Sequence, residues 1–271
     1  MRVAILGMGA IGHVVKRALE GRVELVEIDR TRIPLRDGTA PVDVAVVCTK
    51  TFGTAWAAEQ AARVLRAGGL ALTIQNGLGN EETIAQQVGA DRTAVGVIYV
   101  GAALRPDGSL FATGPGRIEL GQDDRLDALA SALVAGGMSV TRVPDARRSV
   151  WQKLLVNAAM NPTTAVFGIT NGELLSHTAA GPLADGIACE VARVATATGI
   201  QMAEADGIAA WRKIASTLGD NRSSMLQDVT AGRQTEVEAI NGAVALAGEH
   251  VGVDAPLNRA FTVLVTALQP G

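Results

Sequence analysis

Short apolar runs alternate with amphipathic stretches through the first half of the chain. The amphipathic stretches predict helices at Ala10–Leu19 and Thr54–Leu65. The apolar runs predict strands at Arg2–Leu6, Val23–Ile28, Val42–Cys48, Leu70–Ile74 and Ala94–Val100. The third of these runs is almost continuously apolar, which is typical of a parallel strand covered on both faces. The alternation therefore predicts an α/β fold with a doubly wound parallel sheet.

The pattern changes after the fifth strand. Two proline–glycine turn signals within Leu104–Leu120 predict a hairpin added to the sheet. A helix near Arg125–Ala135 and a strand near Ser139–Val143 are expected to close the first domain. Beyond them the pattern is helical to the last residue. We therefore expect two domains, an α/β domain at 1–146 and an all-α domain at 147–271.

A glycine-rich turn joins the first strand to the first helix. It consists of Gly7, Met8, Gly9, Ala10, Ile11 and Gly12. In such a turn Gly7 permits the tight bend, Gly9 lets the backbone approach a pyrophosphate, and Gly12 lets the helix pack closely on the sheet. The helix N-terminus offers free N–H groups to the phosphates. This context favours a Rossmann domain that binds a dinucleotide, the alternative being a tight turn without a ligand.

The end of the second strand bears on the choice of dinucleotide. Asp29 lies where an acidic side chain hydrogen-bonds the ribose 2′-hydroxyl of NAD and repels a 2′-phosphate. Arg30 and Arg32 follow directly, and arginine is suited to holding such a phosphate. An ordinary charged loop is the alternative for all three residues. The residues alone leave NAD and NADP open.

A sparse polar stripe marks the start of the second domain. Lys153, Asn157 and Asn161 recur every four residues and share one face of a predicted helix with apolar flanks. We interpret the stripe as the lining of a cleft, the alternative being a surface stripe. Pro162 is expected to free the carbonyl of Ala158 and to kink or end the helix.

A second polar segment follows further along the chain. Thr235 and Glu238 have the spacing of a capping box, which predicts a helix start there. Glu236 would then be the first helical residue, where the helix dipole stabilises its carboxylate as an acceptor for a substrate hydroxyl. Dipole complementation with no role in catalysis is the alternative.

Composition excludes several classes of protein. The 271 residues carry a formal net charge of −3 and lack the basic stripe that nucleic-acid binding requires. The two cysteines, Cys48 and Cys189, are too few for a structural zinc site. We expect no metal, no membrane span and a cytoplasmic location. The apolar stretch Ala260–Leu268 is either core or interface, and a homodimer is possible.

Several motifs in the same order give the chain a wider resemblance. They are GMGAIG at Gly7–Gly12, CTKTF at Cys48–Phe52, QNGLGNEE at Gln75–Glu82, WQKLLVNAAMNPTTA at Trp151–Ala165, TNGEL at Thr170–Leu174 and NRSSMLQD…TEVEAING at Asn221–Gly242. With these motifs the chain resembles the ketopantoate reductase (2-dehydropantoate 2-reductase) family over nearly its whole length. The resemblance implies reduction of a small 2-keto acid with NADPH, NADH being the alternative.

The resemblance also implies roles for individual residues. Lys153 matches the lysine that donates a proton to the carbonyl oxygen, Glu236 the glutamate that holds the far hydroxyl, and Ser224 a serine that binds the carboxylate. Two residues match those that support the lysine near the nicotinamide, namely Lys50 and Asn76. Four amides match those that line the substrate cleft, namely Asn157, Asn161, Asn171 and Asn221.

Three functions follow from these observations. The first is reduction of 2-dehydropantoate to pantoate, a step in pantothenate biosynthesis and coenzyme A supply. The second is reduction of a different small 2-keto acid on the same framework. The third, a non-catalytic dinucleotide sensor, explains the glycine turn but leaves Lys153, Ser224 and Glu236 unexplained.

Overall fold

The computed structural model describes residues 1–31, 33, 35, 38–105, 107–217 and 219–269. The chain divides into two compact units. The first comprises Met1–Gln75 and Gly79–Ser149, and the second comprises Asn76–Leu78 and Val150–Gly271. The domain boundary expected after residue 146 stays a prediction, and the units divide in the chain at Ser149 and Val150.

The first unit is built on a seven-stranded sheet. Its strands are β1 (Arg2–Leu6), β2 (Glu24–Ile28), β3 (Val42–Val47), β4 (Leu65–Thr73), β5 (Thr93–Tyr99), β8 (Arg117–Gly121) and β9 (Ser139–Val143). Their order in the sheet is β2-β1-β3-β4-β5-β8-β9. The neighbours from β2 to β5 are parallel, β8 runs antiparallel to β5, and β9 is parallel to β8. The expected doubly wound parallel sheet is confirmed.

Helices pack on both faces of this sheet. They are α1 (Ala10–Leu19), α2 (Thr54–Val64), α3 (Asn80–Val88) and α4 (Asp127–Ala135). Val14 and Leu19 of α1 join one apolar cluster with the sheet residues Val3 and Ile5, while Ala57 of α2 joins a second cluster. Because adjacent strand residues face opposite sides, both faces of β1 are buried.

The hairpin predicted within Leu104–Leu120 takes a different form. Two short strands, β6 (Ala102–Leu104) and β7 (Leu110–Ala112), pair with each other as a separate sheet. The place beside β5 is filled by β8, whose Ile118 and Leu120 are buried. The hairpin thus precedes the strand that extends the sheet, and its inclusion in that sheet was wrong.

The second unit is helical, as expected. Its elements are α5 (Ala146–Phe167, of which all but the first four residues belong to this unit), α6 (Asn171–Ser176), α7 (Ala180–Ala197), α8 (Glu204–Thr217), α9 (Ser224–Thr230), a π-helix at Glu238–Gly242, α10 (Ala243–Val251) and α11 (Pro256–Ala267). Their core is aliphatic apart from Trp151, Trp211 and Phe261. A kink or an early stop was expected at Pro162; helix α5 continues through it, so the early stop was wrong and the kink stays a prediction. In the part of the chain that the structure describes, no helix is long and apolar enough to cross a membrane.

Candidate functional site

The glycine turn of the first unit has the conformation that its sequence requires. Gly7 has a φ of +99°, and a Cβ added there would lie 2.6 Å from Cγ2 of Thr49. A Cβ at Gly12 would collide with the carbonyl oxygen of Gly7. A Cβ at Gly9 would instead enter open space. Gly7 and Gly12 are thus needed for the bend and its packing, whereas Gly9 leaves room beside the backbone.

The start of helix α1 suits an anionic ligand. Its first turn consists of the uncharged residues Ala10, Ile11 and Gly12. Met8, just before it, is buried, and Gly9 is exposed. Free N–H groups at a helix N-terminus attract phosphate. The open space at Gly9 and the uncharged first turn therefore fit the pyrophosphate of a dinucleotide.

Asp29 is fixed against this turn. Its Oδ2 accepts a hydrogen bond from the Met8 N–H at 3.1 Å, and its Oδ1 accepts from the N–H and the hydroxyl of Thr31, both at 3.1 Å. Arg30 is exposed, and Arg32 lies outside the described residues. The carboxylate is thus held at the end of β2, next to the glycine turn.

Lys50 follows β3 in a segment whose backbone and side chains are hydrogen-bonded by Gln75. The sequence analysis did not identify Gln75 as a site residue. Nε2 of Gln75 donates to the carbonyl of Thr49 at 3.0 Å, to its hydroxyl at 3.1 Å and to the hydroxyl of Thr54 at 2.9 Å. The carbonyl of Lys50 accepts from the Gly53 N–H at 2.8 Å. The position of Gln75, two residues after the buried end of β4, was a signal that could have indicated this role.

In the second unit, Asn76 lies beside Glu236. Nδ2 of Asn76 donates to Oε2 of Glu236 at 3.2 Å. The next residue, Gly77, has a φ of +80°, and a Cβ there would collide with the carbonyl oxygen of Ala239. That carbonyl accepts the N–H of Leu78 at 3.0 Å. The glycine therefore allows the close approach that brings Asn76 to Glu236.

Lys153 is half-buried on α5 and interacts electrostatically with Glu236. Desolvation lowers the pKa of Lys153 to about 8, and the Glu236 carboxylate opposes this shift. A pKa near the pH of the cell keeps much of the lysine protonated while easing release of the proton. The structure thus brings together three of the predicted residues, Lys153, Glu236 and Asn76.

The segment that carries Glu236 does not form the expected capping box. The N–H of Thr235 donates to Oε1 of Gln269 at 3.1 Å, and Oε1 of Glu238 accepts from the hydroxyl of Thr266 at 3.4 Å. The helical turn begins at Val237, so the expectation that Glu236 is the first helical residue was wrong. Glu236 directly precedes the turn, and its carbonyl accepts the N–H of Ile240 at 3.0 Å. The prediction of a capping box was wrong because both groups find partners elsewhere.

The four predicted amides differ in burial. Asn161 and Asn171 are buried, Asn157 is half-buried and Asn221 is exposed. The N–H of Asn171 donates to the carbonyl of Asn221 at 2.9 Å. Among the described residues, Oδ1 of Asn171 has no hydrogen-bond partner although it is buried. A ligand hydroxyl or a water molecule would satisfy such an acceptor.

Ser224 is exposed at the first residue of α9, and its position depends on Ser223, which the sequence reasoning missed. Oγ of Ser223 accepts from the Leu226 N–H at 3.1 Å and bonds the hydroxyl of Thr164 on α5 at 2.7 Å. Ser223 is therefore the N-cap of α9 and ties its start to α5. A serine directly before an apolar helical run is a sequence signal for such a cap.

Comparison with known proteins places the chain in a family. Two family models match, "Ketopantoate reductase PanE/ApbA" at residues 26–125 and "Ketopantoate reductase PanE/ApbA C terminal" at residues 145–269. The 2-dehydropantoate 2-reductase of Halobacterium salinarum is 32% identical over 302 residues, covering 99% of either chain. The chain belongs to the ketopantoate reductase family. This confirms the resemblance predicted from the motifs.

Solved structures agree with this family fold. A PanE/ApbA family ketopantoate reductase from Ralstonia eutropha has a TM-score of 0.89 and 25% identity, covering 99% of this chain and 98% of its own. D-mandelate dehydrogenase in complex with NADH also has a TM-score of 0.89 and 25% identity, covering 98% of both chains. The predicted fold class, a Rossmann domain followed by an all-α domain, is confirmed for this ketopantoate reductase family member.

Proposed function

We propose that the protein reduces 2-dehydropantoate to pantoate at the expense of a reduced nicotinamide dinucleotide. The observation that carries the proposal is the cluster of Lys153, Glu236 and Asn76 in the second unit, in a chain of this family. Reduction of the ketone adds a hydride to C2 and a proton to the carbonyl oxygen. When bound, the nicotinamide supplies the hydride.

In this proposal Lys153 handles the proton. Negative charge develops on the carbonyl oxygen as C2 is reduced, and an ammonium group stabilises that charge and then donates its proton. A pKa of about 8 suits this role, since the lysine is mostly charged at pH 7 but releases its proton readily. Asn76 orients Glu236 through the 3.2 Å hydrogen bond, and Glu236 accepts the substrate's far hydroxyl.

The remaining polar residues would bind the substrate. Ser224, exposed at the start of α9, is assigned to the substrate carboxylate. The assigned amides are Asn157, Asn161, Asn171 and Asn221. The unpartnered Oδ1 of Asn171 supports a role as acceptor for a substrate hydroxyl. These assignments derive from the family motifs and are supported by the burial of Asn161 and Asn171.

The glycine turn at Gly7–Gly12 would hold the pyrophosphate of the cofactor. Although the family resemblance implies NADPH, we propose NADH as the preferred cofactor. The carboxylate of Asp29, fixed by the Met8 N–H at 3.1 Å, is placed to accept a ribose 2′-hydroxyl and to repel a 2′-phosphate. The NADH complex of D-mandelate dehydrogenase supports the same choice.

Titrations with NADH and NADPH test the proposed preference for NADH. The wild-type protein should bind NADH at least about tenfold more tightly than NADPH, which corresponds to a cost of about 1.4 kcal/mol or more for the repelled phosphate. Asp29→Asn should narrow that gap by improving NADPH binding. A wild-type preference for NADPH, unchanged in Asp29→Asn, would assign the phosphate to Arg30 instead.

Steady-state oxidation of NADH and NADPH with 2-dehydropantoate tests the reaction itself. We expect saturable turnover that exceeds turnover of benzoylformate and other 2-keto acids in a matched panel. Preference for another member of the panel would support the second function, which the likeness to D-mandelate dehydrogenase favours. Cofactor binding without turnover of any 2-keto acid would support the sensor. The sequence leaves the oligomeric state open, and light scattering tests separately whether the chain forms a homodimer. The cytoplasmic location stays a prediction.

A further inference from the structure

Helix α5 contains a carbonyl group that the helix itself cannot satisfy. In an α-helix the carbonyl of residue 158 accepts the N–H of residue 162, but residue 162 is proline and has none. The freed carbonyl of Ala158, expected from the sequence, lies in a fully buried residue. A buried acceptor without a donor destabilises a protein, so this carbonyl requires a partner from outside the helix.

The partner is Asn241. Its Nδ2 donates to the carbonyl oxygen of Ala158 at 3.1 Å and to Oδ1 of Asn258 at 3.0 Å. Asn241 and Asn258 are fully buried. Asn258 in turn donates through Nδ2 to the buried carboxylate of Glu190 at 2.8 Å, which also accepts the backbone N–H of Asn258 at 2.9 Å. Hydrogen bonds from Asn241 to Asn258, and from Asn258 to Glu190, thus fix the orientation of the Asn241 amide.

Asn241 connects the two segments that carry the proposed chemistry. It lies in the π-helix at Glu238–Gly242, which begins two residues after Glu236. Ala158, its acceptor, directly follows Asn157 on the helix that also bears Lys153. A π-helix turn is energetically unfavourable and often marks a functional site. Here it places the Asn241 amide against the gap that proline leaves in α5.

We propose that Asn241 is a positioning residue, which holds the α5 backbone at Ala158 so that Lys153 and Asn157 keep their places relative to Glu236. The proposal rests on the proposed function for its kinetic consequence. Pro162 and Asn241 then act together, a pairing called here the Pro162–Asn241 device. Proline removes the backbone N–H that would bind the Ala158 carbonyl, and the side-chain amide of Asn241, in the segment that follows Glu236, supplies a donor in its place. A proline at that position thus makes the geometry of α5 depend on the segment that carries the glutamate.

A double-mutant cycle tests the device. Asn241→Leu removes the donor but keeps the branched shape of the side chain, whereas Pro162→Ala restores a backbone N–H that can serve Ala158 from within the helix. Asn241→Leu should raise KM for 2-dehydropantoate at least about tenfold, because small misplacements of binding groups carry such costs. The dissociation constant of the cofactor should change less than about twofold, because the glycine turn belongs to the other unit.

In the Pro162→Ala background the same Asn241→Leu change should raise KM less than about threefold, since the acceptor keeps a donor. Val244→Ala, a fully buried change in α10 that leaves Ala158 untouched, is the matched control for lost stability and should leave KM unchanged. An unchanged KM in Asn241→Leu, or an equal loss in both backgrounds, would overturn the proposal.

The variants remain informative in two further cases. If Asn241→Leu does not fold, recovery of folding and activity in the double variant supports the device, and failure of both contradicts it. If the wild-type protein does not turn over 2-dehydropantoate, the proposed function fails by itself. The cycle is then measured in KM for the best 2-keto acid of the panel, with thermal unfolding to report the coupling between Asn241 and Pro162.

Discussion

Raising the pH should abolish reduction by deprotonating Lys153 at a much lower pH than an ordinary lysine would require. Burial of this side chain outweighs the attraction of Glu236 and lowers its pKa from 10.5 to about 8. At pH 7 about 90% of the enzyme would carry the ammonium group, and at pH 9 only about 10%. Because the reaction needs the protonated form, kcat/KM should fall about fivefold from pH 8 to pH 9 and about tenfold for each pH unit above 9.

Initial rates of cofactor oxidation with 2-dehydropantoate, measured from pH 6 to pH 10.5, give this profile. Lys153→Arg is the matched control, because its guanidinium stays charged throughout and its low residual activity should lack the fall near pH 8. Glu236→Gln should move the fall to lower pH, since the carboxylate opposes the lowering of the lysine pKa. A wild-type rate that stays constant up to pH 10, or a Lys153→Arg profile that falls like the wild type, would refute this reasoning.

Three further predictions concern stability and cofactor binding. Lys153→Met should raise the free energy of unfolding at pH 7 by about 2–3 kcal/mol, because it removes a desolvated charge. The pKa of Lys153 in the folded protein, about 8, lies below the ordinary value of 10.5, so the free energy of unfolding of the wild type should rise with pH between these two values. The stability advantage of Lys153→Met should shrink over the same range. Urea unfolding that finds no such trend would contradict this prediction. Gly9→Ala should leave the melting temperature within about 2 °C of the wild type, because the added Cβ enters open space. The same variant should bind the cofactor more weakly in calorimetry. An unchanged affinity would contradict the assignment of the pyrophosphate to this turn. Thr170→Ala should cost about 1 kcal/mol in urea unfolding, because Thr170 and Glu173 form a capping box at α6, and a loss below about 0.3 kcal/mol would count against it.

Local sequence patterns predicted the first unit well. The glycine turn could be predicted because the atoms that exclude a side chain there are close by. A Cβ at Gly12 would meet the carbonyl of Gly7, five residues earlier, and a Cβ at Gly7 would meet Thr49, just after the neighbouring strand. The strands were readable because both faces of β1 and β3 are covered and their residues are almost all apolar. The hairpin was misassigned because pairing of short, partly exposed strands depends on which edge is available, and hydrophobicity does not encode that.

The site depends more on distant contacts. Asn76 and Glu236 are 160 positions apart in sequence, so no spacing rule joins them, and only the family motifs placed them in one site. Thr235 and Glu238 have the spacing of a capping box, but the N–H of Thr235 donates to Gln269, 34 positions away, instead of to Glu238. The freed carbonyl of Ala158 was predictable from Pro162, whereas its donor, Asn241, was not, because it lies 83 positions away.

The most direct test of the central claim is the effect of Lys153→Ala on kcat with 2-dehydropantoate, measured together with the dissociation constant of the cofactor. If Lys153 donates the proton, kcat should fall by at least about a thousandfold, within the range attributed to a positioned acid, while cofactor binding stays within about twofold of the wild type. A variant that keeps kcat within about tenfold of the wild type would contradict the assignment of proton transfer to Lys153.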